Sequence, residues 1–454
     1  MSDSAIAALW NARSVAVIGA SQRPGSVGGR IVGYLRASGY EGRVYPVHPT
    51  ARTVGGFTAY PSVRDIDDGP QLAVIVVSAR WVSAALDDCL AAGVSTVIIG
   101  SSGFADAGNA AAEAELAARA RDAGVRLLGP NCIGSANLHS GLIASFSPFF
   151  DRPPSSTPGD LAVVSHSGGV GFGIASLAAE RGLRPGWVVT TGNEADIGAG
   201  EVLCALAAEP RCRRVVAFLE SLPARSWLER LRHMGVPVAA IVSGSSPAGA
   251  AAAITRKRRE RSRGAESFVL SRNGIARASD VDELMDLAAG FASPPPRGPR
   301  VGVVTTSGGA GVLACDAVSE HGLRMPQPSS DTAESLRAVL PSYATVGNPV
   351  DVTATVAEDA GLFTRALSIM AADDAFDAIV VCLCVLGGKT AAAAEKAIVD
   401  TAKRGKPVAL SRTGSDNLAP GMRQRLADAG VGVYPTPARA VAVLAKRHRL
   451  YGGS

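Results

Sequence analysis

The stretch Ser14-Val15-Ala16-Val17-Ile18-Gly19-Ala20-Ser21-Gln22-Arg23-Pro24-Gly25-Ser26-Val27-Gly28-Gly29 constrains the fold more than any other part of the chain. An apolar run of strand length stops at Gly19. A loop carrying Gly25, Gly28 and Gly29 follows, and the spacing of Ile31, Tyr34 and Leu35 then reads as a helix. A helix started this way turns free backbone N–H groups and a positive dipole end toward the turn, a place that suits a phosphate group. A tight turn that needs glycine only for packing has the same pattern, so both readings stay open at this point.

The rest of 1–146 alternates in the same sense. Strand candidates lie at 14–19, 43–47, 72–77, 96–100 and 125–128, with helical spacing between them, for example at 81–92 and 111–123. Alternation of strands and helices implies a parallel sheet covered on both faces, with ligands at the carboxyl ends of the strands. One residue type is missing. A dinucleotide-binding domain would end its second strand in Asp or Glu to hold a ribose hydroxyl, whereas this chain reads Pro46-Val47-His48-Pro49. A nicotinamide cofactor, and with it an oxidoreductase, is therefore disfavoured. A nucleotide bearing phosphates is not.

Two stretches rich in proline and serine, 147–160 and 292–300, read as linkers and divide the chain into segments of about 1–150, 155–293 and 299–454. The second and third segments repeat each other. Leu161-Ala162-Val163-Val164-Ser165-His166-Ser167-Gly168-Gly169-Val170-Gly171 opens one and Val301-Gly302-Val303-Val304-Thr305-Thr306-Ser307-Gly308-Gly309-Ala310-Gly311 the other. Both run on to a Gly-Leu pair at the same offset, Gly182-Leu183 and Gly322-Leu323. Two flavodoxin-like halves is the natural architecture, and each Ser-Gly-Gly turn is again a helix start suited to an anion.

With 47% apolar residues, the 454-residue chain can fill the cores of about three domains. A net charge of +5 is small for this length and gives no reason to expect nucleic acid as a partner. The seven cysteines are scattered, odd in number and without zinc-ribbon spacing. They read as reduced, buried residues of a cytoplasmic protein, with no metal site. No apolar run reaches about eighteen residues, so neither a signal peptide nor a membrane span is expected.

In order along the chain come Val17-Ile18-Gly19-Ala20-Ser21 with Pro24-Gly25-Ser26-Val27-Gly28, Tyr45-Pro46-Val47, and Gly129-Pro130-Asn131-Cys132-Ile133-Gly134. Then come Ser165-His166-Ser167-Gly168, Thr191-Gly192-Asn193-Glu194-Ala195-Asp196, Phe218-Leu219-Glu220 and Gly347-Asn348-Pro349-Val350-Asp351-Val352. Through these motifs nearly the whole chain resembles the NDP-forming (ADP-forming) acyl-CoA synthetases, the superfamily of the succinyl-CoA synthetase α subunit. The resemblance implies an α/β fold: a Rossmann-like CoA-binding domain followed by two flavodoxin-like CoA-ligase domains. Carried over by position, Ser21, Pro24, Gly25, Val27 and Gly28 would touch CoA just beyond Gly19, with Arg23 and Arg52 as local cations for its pyrophosphate. Loops at Ser78, at Ser101 and at Asn131 would line the nucleotide and pantetheine path. The family often has Asn-Pro-Lys after the second strand; His48-Pro49-Thr50 here removes one basic contact.

In that family ATP or GTP, bound by a separate ATP-grasp module, phosphorylates a histidine on a mobile loop. The phosphoryl group passes to a carboxylate, and the CoA thiol attacks the acyl phosphate. The resemblance implies that Ser167 and Gly168 hold the phosphate and that Glu220 orients the histidine. Counting along the chain, however, places Arg256 where that histidine belongs, and arginine stays protonated and cannot carry a phosphoryl group. No ATP-grasp module is recognised in these residues, so a nucleotide-driven step calls for a β-type partner chain in an oligomer. The basic run 256–263 reads as a solvated loop, as an electrostatic substitute at the phosphate or, without aromatic residues to support it, as a nucleic-acid contact. His166, where many relatives have glutamine, reads as a surrogate nucleophile or as a simple substitution. Glu194 and Asp196 read as a carboxylate pair whose convergence the sequence leaves open. Two functions follow. One is an enzyme moving an acyl group between a small carboxylic acid, or its acyl phosphate, and CoA without the usual phosphohistidine. The other is a catalytically degenerate CoA- or acyl-CoA-binding regulator or scaffold.

Overall fold

The computed structural model describes residues 2–153, 157–244, 246, 248–249, 263–352 and 359–451. Arg256 and most of the basic run 256–263 lie outside the described residues. The chain forms two compact units, one of residues 1–180 and 184–273, the other of residues 181–183 and 274–454.

In the first unit, helix α1 (Ser2–Asn11) leads into strand β1 (Ser14–Ile18), the glycine turn and helix α2 (Val27–Ala37). Then come β2 (Arg43–Val47), β3 (Leu72–Ile75), α3 (Ala79–Ala91), β4 (Thr96–Ile99), α4 (Ala110–Asp122) and β5 (Arg126–Leu128). All five residues of β1 and all four of β3 are buried, as expected of parallel strands covered on both faces. Helix α3 forms because Val82, Leu86 and Cys89 make one apolar stripe, which it lays on the sheet. The strand order is β2-β1-β3-β4-β5. The chain runs outward from β1 to β2 and then returns past β1 to β3, so the topological switch lies between β1 and β3. A crevice opens outside the carboxyl ends of strands at such a point.

A second sheet in the same unit contains β8 (Leu161–Ser165), β9 (Pro185–Thr190), β10 (Arg214–Leu219) and β11 (Val238–Val242). Its edge is built by an antiparallel hairpin of β6 (Gly134–Asn137) and β7 (Leu142–Ser145), with Trp187 opposite Asn137 and Val189 opposite Ser135. This sheet therefore borrows strands from the segment that the sequence assigns to the first. The start of the 147–160 linker is packed as well. Pro148–Asp151 make a 3-10 turn, and Phe150 is buried between Tyr34 and Phe172, with ring centroids 5.6 and 5.7 Å away.

In the second unit, β12 (Val301–Thr305), β13 (Val350–Asp351), β14 (Ala378–Cys384), β15 (Val408–Thr413) and β16 (Gly432–Tyr434) form a parallel sheet. Its order is β13-β12-β14-β15-β16. The repeat read in the sequence holds at the level of single bonds. Each Ser-Gly-Gly turn starts a 13-residue helix, α5 (Gly168–Glu180) in the first unit and Gly308–Glu320 in the second. In each copy the last strand residue donates its side-chain hydroxyl to the turn serine's carbonyl: Ser165 to Ser167 at 2.6 Å, Thr305 to Ser307 at 2.7 Å.

Candidate functional site

The glycines of the opening turn serve different ends. A Cβ on Gly28 would lie 2.0 Å from the carbonyl oxygen of Gly19, and one on Gly29 would lie 2.0 Å from that of Arg23. Gly19 has φ +91°, and a Cβ there would meet the carbonyl of Val76 and the side chain of Val77 at 2.9 Å. These three glycines let the turn fold onto itself and onto the end of β3. Gly25 is different: a Cβ there would meet nothing within 4 Å. Gly25 marks the open side of the turn, where a ligand can approach backbone. Ser26 caps α2 by accepting from the Gly29 N–H at 3.2 Å, and its own hydroxyl donates to the Arg23 carbonyl at 2.7 Å. Such a cap stabilises a helix by about 1 kcal/mol. The Ser21 hydroxyl accepts from the Arg23 N–H, which shapes the loop ahead of it. Arg23, Pro24, Gly25 and Val27 are exposed, while Ser21 is half-buried.

The neighbouring strand ends complete this rim. Ser78, exposed, stands at the N-cap of α3. Ser101 donates its hydroxyl to the Val77 carbonyl at 2.5 Å and accepts, at its own carbonyl, the Asn131 N–H at 2.9 Å. Arg52 is exposed at the base of the short hairpin of Thr53–Val54 and Phe57–Thr58 beyond β2. His48 does not replace the missing cation: its Nδ1 accepts from the N–H groups of Thr50 and Ala51 and so organises the turn. Cys132, next to Asn131, is fully buried, and burial pushes its thiol up to about 12, so it offers no thiolate.

The 129–134 and 192–197 loops run against each other. The N–H groups of Asn193, Ala195 and Ile197 bond the carbonyls of Pro130, Gly129 and Leu127. Asn193 takes the Asn131 amide on its own carbonyl and donates to Asp106 at 3.1 Å and Glu113 at 2.8 Å. Asp106 in turn accepts from the N–H groups of Gly103 and Phe104. Burial raises the Asp106 carboxyl, but these donors outweigh it and hold the group below the usual range. One amide from the second sheet's loops thus anchors a rim loop of the first sheet.

Glu194 and Asp196 diverge instead of forming an acid–base pair. Asp196 and Glu201 each take two bonds from the Arg126 guanidinium. Glu194 accepts from His166 Nε2 at 3.1 Å and from the Ala199 N–H at 2.6 Å. Burial raises its carboxyl, and these hydrogen bonds more than offset that, so it stays ionised below the usual range. His166 is 5% exposed, and its Nδ1 accepts from the Glu220 backbone N–H at 2.9 Å. The proton of the neutral ring therefore sits on Nε2 and is given to Glu194, leaving no ring lone pair for attack. His166 locks the Ser-Gly-Gly turn in place. Ser167 and Gly168 stand half-buried at the start of α5, and a Cβ on Gly168 would collide with Ile133 at 2.4 Å. Glu220 lies at the carboxyl end of β10 beside this turn and orients His166 through its backbone. The sequence shows Glu194 but not its partner, because nothing in its spacing links it to a histidine 28 positions earlier.

Three family models match in succession: a CoA binding domain over residues 13–137, a succinyl-CoA ligase like flavodoxin domain over 158–291 and a ligase-CoA domain over 301–453. The α subunit of an ADP-forming acetate–CoA ligase II from Pyrococcus furiosus is 31% identical, covering 98% of both chains. The chain belongs to the ADP-forming acyl-CoA synthetase family. A 4-hydroxybutyrate–CoA ligase from Nitrosopumilus maritimus is 31% identical over 76% of this chain and 50% of its own length. The dinucleotide-forming acetyl-coenzyme A synthetase 1 of Ca. Korarchaeum cryptofilum, solved with phosphate and ADP, superposes with a TM-score of 0.88 at 28% identity, covering 98% of this chain and 96% of that one. The α/β fold with its parallel sheets agrees with that of this synthetase family. Among the described residues no three His, Cys, Asp or Glu side chains gather as a metal site requires, and no helix is long and apolar enough to cross a membrane.

Proposed function

We propose that this chain binds CoA across the carboxyl ends of β1 and β3 and is the α-type part of a ligase joining a small carboxylic acid to CoA. One observation carries the CoA reading. Gly25 alone among the glycines of the opening turn has no packing role, and it lies in the loop leaving the carboxyl end of β1, one of the two strands at the topological switch, inside the segment that matches a CoA-binding domain. Ser21, Arg23, Pro24, Gly25 and Val27 offer backbone and charge to the CoA phosphates. Ser78, Ser101, Asn131 and Arg52 border their path. The Ser167–Gly168 helix start, fixed by His166 and Glu194, holds the phosphate of an acyl phosphate. The CoA sulfur then bonds to the acyl carbon as its S–H bond breaks, the bond from that carbon to the phosphate oxygen breaks, and phosphate leaves with the electron pair and takes up the thiol proton. Catalysis of such a step is chiefly positioning and charge stabilisation.

Arg256, at the place of the phosphoryl-carrying histidine, supports a chain that receives its acyl phosphate ready-made. ATP enters only through a separate ATP-grasp chain, a β-type subunit of the same cytoplasmic oligomer. The same arginine supports the second reading, a binder of CoA or acyl-CoA without turnover. Titration calorimetry with CoA and acetyl-CoA, followed by thioester formation from acetyl phosphate, separates the two. The ligase reading expects CoA binding and thioester formation, and ATP-dependent phosphorylation of Arg256→His once an ATP-grasp partner is added. Binding with no thioester from any acid or acyl phosphate establishes the binder. Absence of CoA binding overturns both.

A further inference from the structure

Trp81 is an anomaly. It is 58% exposed, whereas Trp10 and Trp187 are buried and Trp227 is half-buried. It lies in the first turn of α3, directly after β3, one of the two strands that flank the switch crevice. The helix's contacts show which way it faces. Ser83 and Asp87, on one stripe, both bond Arg119 of α4. Asp88, two turns beyond Trp81 on another stripe, pairs with Arg64 at 2.7 Å and takes a bond from Ser62. Ser62 and Arg64 belong to the segment returning from β2 past β1. Trp81 therefore lies on the side of α3 that borders the crevice, away from α4. The rim loops close in on the same spot. A Cβ on Gly103 would stand 3.1 Å from Ala79, and Gly19 is pressed against Val76 and Val77. Beside Trp81, the Arg80 guanidinium lies 5.6 Å from the indole centroid and stiffens the ring by a cation–π contact.

Resting on the CoA-binding reading, we infer that Trp81 is the platform on which the adenine base of CoA stacks, with Arg80 backing the indole. Of the parts of CoA, only the base has a π-face for an indole to meet; pantetheine has none. With the pyrophosphate at the open side of Gly25, the base crosses the switch to α3 and the pantetheine arm leaves along the Ser101 and Asn131 loops.

The test combines calorimetry and intrinsic fluorescence on the full chain, with Trp81→Ala, Trp81→Phe and Arg80→Met. Base–aromatic stacking of ordinary strength predicts that Trp81→Ala weakens CoA binding by roughly 5- to 150-fold, and that Trp81→Phe restores most of it. Arg80→Met gives a smaller loss. CoA and adenosine 3′,5′-bisphosphate quench the wild-type fluorescence, pantetheine does not, and Trp81→Phe loses the quench. An exposed side chain leaves the fold intact when truncated, and unchanged circular dichroism checks this. Wild-type CoA binding with Trp81→Ala equally tight overturns the platform and leaves the CoA reading standing. A wild-type chain that binds no CoA overturns both.

Discussion

Replacing Gly28 and Gly25 separately by alanine tests the division of labour inside the opening turn. At Gly28 the new methyl would stand 2.0 Å from the Gly19 carbonyl oxygen and within 2.9 Å of the Ala20 Cα. Ordinary contact begins at 3.4 Å, so backbone must retreat by about 1.4 Å, and no flexible side chain is present to absorb the shift. Overpacking of this kind costs about 1–3 kcal/mol, and backbone opposition places Gly28→Ala at about 3 kcal/mol. At Gly25 the methyl meets nothing within 4 Å and the backbone is not left-handed. Gly25→Ala should therefore leave stability unchanged or raise it by up to about 1 kcal/mol, through the unfolded chain's lost freedom. It should nevertheless weaken CoA binding by at least about tenfold, equivalent to about 1.4 kcal/mol, because the methyl occupies the ligand's approach. Urea unfolding followed by fluorescence, with CoA calorimetry on the folded proteins, reads both quantities. The reasoning fails if Gly28→Ala unfolds at the wild-type midpoint, or if Gly25→Ala binds CoA as tightly as the parent.

The Arg126 cluster is the next point of leverage. Its guanidinium and the carboxylates of Asp196 and Glu201 are at most 20% exposed, so Arg126→Met strands two buried anions and should cost about 3–5 kcal/mol in urea unfolding. Adding Asp196→Asn and Glu201→Gln should recover part of the loss, and a cost below about 1 kcal/mol for the single variant would refute the reading. At His166, Gln can accept from the Glu220 N–H and donate to Glu194, so His166→Gln should keep both the fold and any thioester activity. A folded His166→Gln without activity would refute the assignment of His166 to holding this turn through these two hydrogen bonds alone. Glu194 supplies the pH dependence. Its folded carboxyl titrates below its unfolded value of about 4.3, so the stability it contributes is fully present above that pH and is lost as pH falls through the folded value. Glu194→Gln should flatten the stability profile on the acid side of its unfolded value of about 4.3; a variant with the parent's acid slope would assign the acid sensitivity elsewhere.

Much of this protein is local, and local features can be read from residues. Buried parallel strands need continuous apolar runs, so β1, β2, β3 and β4 could be placed to within a residue or two. The Ser-Gly-Gly repeat marks two helix starts, and close contacts at Gly168 and in the first turn of each helix call for small residues there, whereas Gly169 and Gly309 have open space. Gly168 lies against Ile133, and Gly171 and Gly311 lie against the last strand residues, Ser165 and Thr305. Family membership rests on the same kind of short, ordered signal. What the chain order cannot encode is which distant group answers a given side chain. Hydrophobic periodicity carries no partner, so the sequence could list Glu194, Asp196, His166 and Arg126 without pairing them. Folding brings together residues 28 or 70 positions apart and turns an apparent carboxylate pair into two separate anchors. In the same way only tertiary structure distinguished Gly25 from Gly28 and Gly29, since the difference lies in what fills the space beside each Cα. It also gave the β6–β7 hairpin to the second sheet, where its backbone groups find a partner in β9.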